Sequence, residues 1–109
     1  MATERGDLLR GTLEMLILRC LEDAPMHGWG ITERLQRVSD DVLTVDEGSL
    51  YPALYRMQRR GWLTSAWGRS AKNRRARFYS VTAKGKKQLA SATANWDRFS
   101  EAVSRAMSP

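Results

Sequence analysis

The sequence predicts a mainly α-helical domain interrupted by one small β-hairpin, and three observations predict it. Apolar residues recur at helical spacing in four separate stretches. Residues 62–82 read instead as two short strands flanking a basic tip. The chain has 109 residues with 42% hydrophobic and 28% charged content, which is globular in composition and enough for one core but not two.

The first helix is DLLRGTLEMLILRCLED, where Leu9, Leu13, Leu16 and Cys20 form an apolar stripe widened by Ile17 and Leu21. Asp7 is the expected N-cap and Pro25 closes the element. Leu8, Met15 and Leu18 lie off the stripe, which suits them to a partner subunit. The second helix restarts near His27 with Ile31, Leu35 and Val38 inward. Gly28 and Gly30 at its start are poor helix formers, so another backbone or a bulky side chain is expected to come close. His27 either caps this helix or meets a ligand, and the cap is the reading preferred. Residues 40–47 connect it to the third helix.

That helix lies in DEGSLYPALYRMQRRGW. At about 100° per residue, Leu50, Ala53, Leu54 and Met57 share an inner face, Gly48, Pro52, Tyr55 and Arg59 share the outer one, and Tyr51 and Arg56 flank it. Proline lacks an N–H, which is harmless only in a first turn. The helix is therefore expected to begin near Ser49, capped by Ser49 or Asp46, and its free donors suit a phosphate. Gly61 ends it.

In the hairpin, Leu63, Ser65 and Trp67 alternate on one strand and Phe78, Tyr79 and Val81 lie on the other, with Arg69, Lys72, Arg74 and Arg75 at the tip. Thr82 caps the last helix. There Leu89, Ala92, Trp96, Phe99 and Val103 recur at steps of three and four, a seam for a second helix. Residues 1–82 are thus one domain, and 83–109 a C-terminal dimerisation helix continuous with it. Leu9 and Leu13 join Leu89, Ala92, Trp96, Phe99 and Val103 as the expected dimer interface.

Charge is sorted along the chain. Residues 1–47 carry five Lys/Arg against ten Asp/Glu, residues 48–96 carry eleven Lys/Arg and no acid, and the remainder balances, for a total of +6. Such a block points to a polyanion, because solubility alone is served as well by mixed signs. Cys20 and His27 are the only residues of their kinds, which removes internal disulfides and most metal and triad chemistries. No enzyme, metal or cofactor is expected. With no signal-peptide core and no apolar run long enough for a membrane, a cytoplasmic protein without a membrane partner is expected.

The order helix, helix, turn, helix, hairpin, helix is that of a winged helix-turn-helix, whose third helix enters the major groove while the hairpin tip lies against the backbone or minor groove. The stretches LLRGTLEMLILRCL, MHGWGITERL, VDEGSLYPALYRMQRRGWL and RRARFYSVTAKGKKQL resemble the PadR-type bacterial transcriptional regulators over nearly the whole chain. The likeness implies a homodimeric repressor of the short-tailed branch, acting on double-stranded DNA. It places Ser49, Tyr51, Pro52, Tyr55 and Arg56 at or near the groove and Arg74, Arg75 and Arg77 in the wing. From the residues themselves, Ser49 and the Tyr51 hydroxyl can bond phosphates, and Arg56 or Arg59 can reach a guanine edge or a phosphate. The wing cations, Arg69 and Lys72 included, chiefly neutralise phosphates. Tyr55 serves equally well as an aromatic at the core edge. Some PadR-like proteins bind flat aromatic drugs between tryptophans at the dimer centre, so Trp96 and Phe99 form either a small aromatic effector's platform, with Glu14 a source of negative charge, or an interface seal. An adaptor or RNA-binding winged helix is the rival of a different class.

Overall fold

The computed structural model describes the backbone of residues 2–109 and the side chains of residues 11–109. The chain runs α1 (Ala2–Asp23), β1 (Met26–His27), α2 (Gly28–Val38), α3 (Glu47–Arg59), β2 (Leu63–Arg69), β3 (Arg75–Val81) and α4 (Ala83–Met107). The expected fold class is found, with one addition: the two-residue β1 pairs antiparallel with β3, so the hairpin becomes a three-stranded sheet in the order β1-β3-β2.

One core holds these elements. Ile17, Leu18, Cys20 and Leu21 of α1 meet Ile31 and Leu35 of α2, the inner face of α3, and Leu63, Tyr79 and Leu89. The inner face of α3 is Leu50, Ala53, Leu54 and Met57, the set its periodicity predicts. Each fully buried aliphatic side chain contributes about 1.5–3 kcal/mol, so this face alone anchors α3 firmly enough to leave its other side free.

Four placements differ from the expectation. Helix α1 begins at Ala2, so Asp7 lies inside the helix and not at its cap. Leu18 is fully buried within its own chain, because α1 is covered on two sides by the other helices. Val38, in the last turn of α2, is exposed, since the chain turns away beyond Ser39. Leu89 is buried in the core of its own chain, so it is not free to begin a seam with another.

Helix α3 also starts earlier than its proline suggests. Asp46 caps it, its carboxylate accepting the Ser49 N–H at 2.8 Å, and Glu47 is the first helical residue. Pro52 therefore sits in the second turn, where a normal residue would donate to the Gly48 carbonyl. Gly48 and Pro52 are both exposed, so water can serve that carbonyl. The helix ends as expected: Gly61 is left-handed at φ +79, its N–H reaches the Gln58 carbonyl at 3.0 Å, and the Trp62 N–H reaches the Met57 carbonyl at 3.0 Å.

Thr82 caps α4 by accepting the Gly85 N–H at 3.0 Å, while donating its hydroxyl to the Gly61 carbonyl at 2.6 Å. The buried residues of α4 are Gly85 and Leu89; beyond them the helix runs beside α1 as far as Phe99 and then extends past it, exposed. This gives the chain its length, 53 × 29 × 26 Å, with a radius of gyration of 15.0 Å. Among the described residues no helix is long and apolar enough to cross a membrane.

Candidate nucleic-acid interface

The outer side of α3 and the wing strand β3 border a trough. Its nearer part, about 480 Å³, is lined by Tyr51, Tyr55, Gln58, Arg59, Arg77 and Tyr79. It continues into a cleft of about 700 Å³ between the start of α2 and the wing, and Tyr51, Arg77 and Tyr79 line both. Arg59 stands at one end and Lys72, Arg74, Arg75 and Arg77 at the other. None of the described residues lining either part is acidic.

Helix α3 supplies the trough's long wall. The Tyr51 ring lies against Gly28, where an added Cβ would come within 2.7 Å of the phenol oxygen. Gly28 thus meets the bulky neighbour its sequence position predicts. Burial raises the Tyr51 phenol above its ordinary value, with the Glu47 charge and Tyr79 adding to the effect, so it stays protonated and able to donate a hydrogen bond. Tyr55 is 63% exposed, with the Arg59 guanidinium 5.7 Å from its ring centre, so it is not a core-edge aromatic. Ser49 and Pro52 are exposed on the same side. The phosphate seat expected at the start of α3 is poorly served, because the Asp46 carboxylate already takes the Ser49 N–H and Glu47 adds a second negative charge.

Arg56 does not share this surface. It turns inward toward Glu14 of α1, with its Nε 3.9 Å from Glu14 Oε2, while Arg60 approaches the same oxygen at 3.8 Å. Glu14 is buried, and neither Glu14 Oε2 nor Arg56 Nε has a hydrogen-bond partner, so this is a loose charge cluster under the helix. Of the two α3 arginines expected to read DNA, only Arg59 lines the trough.

The wing is regular. Its strands pair from Leu63↔Val81 to Arg69↔Arg75, so Arg69 and Arg75 are strand residues, and the loop is confined to residues 70–74. Trp67 faces Arg77 across the ladder, and Phe78 pairs with Ala66 on the opposite face from Tyr79 and Val81. Asn73 takes the left-handed conformation that closes the tip, at φ 59. Arg69 folds back to the Asn73 carbonyl at 3.3 Å and is not part of the trough lining. Lys72, Arg74, Arg75 and Arg77 are.

Among the trough residues that carry no functional assignment from the sequence as part of this surface are His27, Trp29 and Trp67. His27 is the expected cap, its Nδ1 accepting the Gly30 N–H at 2.9 Å. The signal that could have found the tryptophans is their exposure, 58% for Trp29 and 57% for Trp67, and a sequence does not show exposure.

The residues expected at a dimer interface lie elsewhere. Along α4, Trp96, Phe99, Val103 and Met107 form an exposed apolar row, and the Trp96 and Phe99 rings are 6.2 Å apart. Trp96, Phe99 and Ala92 share with Glu14 and Trp62 a groove of about 380 Å³ between α1 and α4. Leu13 is partly buried against the core. The Leu9 side chain lies outside the described residues.

Comparison with known proteins agrees with this architecture. The model of the transcriptional regulator PadR-like family matches residues 17–91. A transcriptional regulator from Clostridium thermocellum is similar in fold, at a TM-score of 0.84 and 24% identity, over 94% of this chain and 99% of that one. A PadR-like transcriptional regulator from Bacillus cereus is 27% identical at a TM-score of 0.80, covering 94% of this chain and 98% of its own. A PadR family transcriptional regulator from Eggerthella lenta is 26% identical at 0.75, covering 97% and 90%. With the winged helix-turn-helix in place and the family model matched over most of its length, the chain belongs to the PadR-like family of transcriptional regulators.

Proposed function

We propose that the chain is a cytoplasmic, homodimeric repressor that binds a pseudo-palindromic operator in double-stranded DNA. The observation that carries this reading is the acid-free trough between α3 and the wing, lined by Arg59, Lys72, Arg74, Arg75 and Arg77. Tyr51, Tyr55 and Arg59, with Ser49 and Pro52 beside them, face the major groove, and the wing cations neutralise phosphates. Residues 1–82 bind DNA, and the outer part of α4 joins two copies. The exposed row of Trp96, Phe99, Val103 and Met107 supports that role, since it is apolar and its own chain leaves it uncovered. Two copies joined this way would present their α3 helices to successive major grooves about 34 Å apart.

The test is a titration of the chain with duplex DNA from upstream of its own gene at several salt concentrations. With about eight phosphates contacted per dimer, log affinity falls against log salt with a slope near −7. A slope near zero, or a preference for RNA over duplex DNA, would overturn the reading. A second reading concerns the groove where Trp96 and Phe99 meet Glu14: a planar aromatic effector seated there would loosen DNA. The buried Glu14 carboxylate favours a cationic compound, whereas Arg56 and Arg60 beside it oppose one. Trp96 quenching by planar aromatics together with operator release would identify it.

A further inference from the structure

We infer that Trp29 and Trp67 are DNA-contacting residues: the cleft between the start of α2 and the wing seats one sugar–phosphate strand, whose deoxyribose faces lie against the two indoles. The inference rests on the duplex-binding reading above and assigns a part of that surface which neither α3 nor the wing arginines alone provide.

Both tryptophans are large apolar side chains kept more than half exposed, at 58% and 57%, inside a cleft lined by cations. Neither joins the core. Each indole holds basic groups in place. Lys72 Nζ stands 5.2 Å from the Trp29 ring centre, and the Arg75 and Arg77 guanidinium carbons stand 4.5 and 5.5 Å from that of Trp67. A guanidinium stacked on a ring presents its N–H edge outward, free for a phosphate oxygen, while its face is covered. Arg77 is fixed further, donating from Nε to Ser65 Oγ at 2.8 Å. Two like charges two residues apart on one strand face repel each other, and the shared indole between them relieves that repulsion before any phosphate arrives.

The occupant follows from charge and continuity. The lining carries Lys72, Arg74, Arg75 and Arg77 with no carboxylate among the described residues, so it complements a polyanion. Tyr51, Arg77 and Tyr79 belong to both the cleft and the trough beside α3. A duplex with α3 in its major groove therefore has its flanking strand directed along the same path. Within this frame Trp67 is a positioning residue for Arg75 and Arg77 as well as a contact, and Trp29 has the same relation to Lys72.

The test compares the full-length chain with Trp29→Ala, Trp67→Ala, Trp67→Phe and an Arg75→Ala, Arg77→Ala double variant, binding a labelled random-sequence duplex across a salt series. Trp67→Ala is expected to weaken binding about tenfold and Trp29→Ala about fivefold, in line with the strength of partly desolvated cation–π contacts. Trp67→Phe, which keeps an aromatic ring in the strand, recovers most of the loss. The arginine double variant flattens the salt slope by about two per chain, whereas Trp67→Ala, which removes no charge, changes it by less than half as much. Duplex DNA is also expected to shield tryptophan fluorescence from acrylamide in the native chain, and to shield it far less in a Trp29→Phe, Trp67→Phe variant. Binding by both alanine variants within twofold of the native chain, or undiminished shielding in the double phenylalanine variant, would overturn the seat and leave duplex binding standing. A native chain that binds no duplex at all would overturn both.

Discussion

Arg56 and Arg59 lie three residues apart on one helix, yet the geometry gives them opposite duties, and alanine at each position separates these. Glu14 is buried against Arg56 Nε at 3.9 Å and Arg60 at 3.8 Å. Unit charges about 4 Å apart attract by about 4 kcal/mol at an effective dielectric of about 20. Arg56 keeps 28% of its side chain exposed and neither Glu14 Oε2 nor Arg56 Nε has a hydrogen-bond partner, so solvent screening reduces this to about 1–2 kcal/mol. Among the described residues, Arg56→Ala leaves Glu14 paired with Arg60 only, and a loss of that size lowers the melting temperature by about 5–10 °C in a domain of this length. The salt slope of DNA binding should be unchanged. Arg59→Ala should do the reverse: stability within about 0.5 kcal/mol of the native chain, and a slope flatter by about two per dimer. Thermal melts by circular dichroism and anisotropy titrations with duplex DNA at several salt concentrations measure both. A flattened slope in Arg56→Ala with native stability would refute the inward placement of that side chain.

Phe99→Asp with Val103→Asp should convert a dimer to a monomer in sedimentation while leaving the melting of the core intact, because both residues lie beyond the buried part of α4; an unchanged dimer would refute the seam. Gly28→Ala places a methyl group within 2.7 Å of the Tyr51 oxygen, so Tyr51 must move; duplex affinity should fall several-fold with a destabilisation of about 1–3 kcal/mol, and native affinity would show that the Tyr51 position is immaterial. Burial pushes the Cys20 thiol up from its ordinary value, outweighing the opposing pull of Arg34 and Arg19. The group is therefore a protonated thiol at neutral pH, and because its folded value is the higher one, any stability it contributes is present below the ordinary thiol range and lost as pH rises toward the folded value. Iodoacetamide should label it slowly in the native chain and rapidly in urea, and equal rates would refute its burial.

The helices were legible because their periodicity is local. Leu50, Ala53, Leu54 and Met57 declare an inner face within two turns of chain, and the structure buries all four. The strand Met26–His27 was not legible, since two residues carry no period and they become a strand only by meeting Tyr79 and Phe78, far along the chain. Arg56 was misplaced for a related reason. A helical wheel sets it on the flank of the outer face, and only the fold brings Glu14 of α1 beneath it. Pro52 misled because a proline in a second turn is tolerable where the freed carbonyl meets water, and solvent contact cannot be read from the residue itself. The basic block was legible in its sum but not in its division: Arg59 and four wing cations share the trough, while Arg56 and Arg60 turn away from it.

Thr82 makes the last turn of α3 and the first turn of α4 behave as one joint, bonded to the Gly61 carbonyl through its hydroxyl and to the Trp62 carbonyl through its N–H at 3.0 Å. A rod of 25 residues, about 37 Å long, leaves this elbow without slack. A tilt of that rod about its first turn would therefore be felt first at Gly61 and Trp62, the two residues through which the end of α3 passes into the wing.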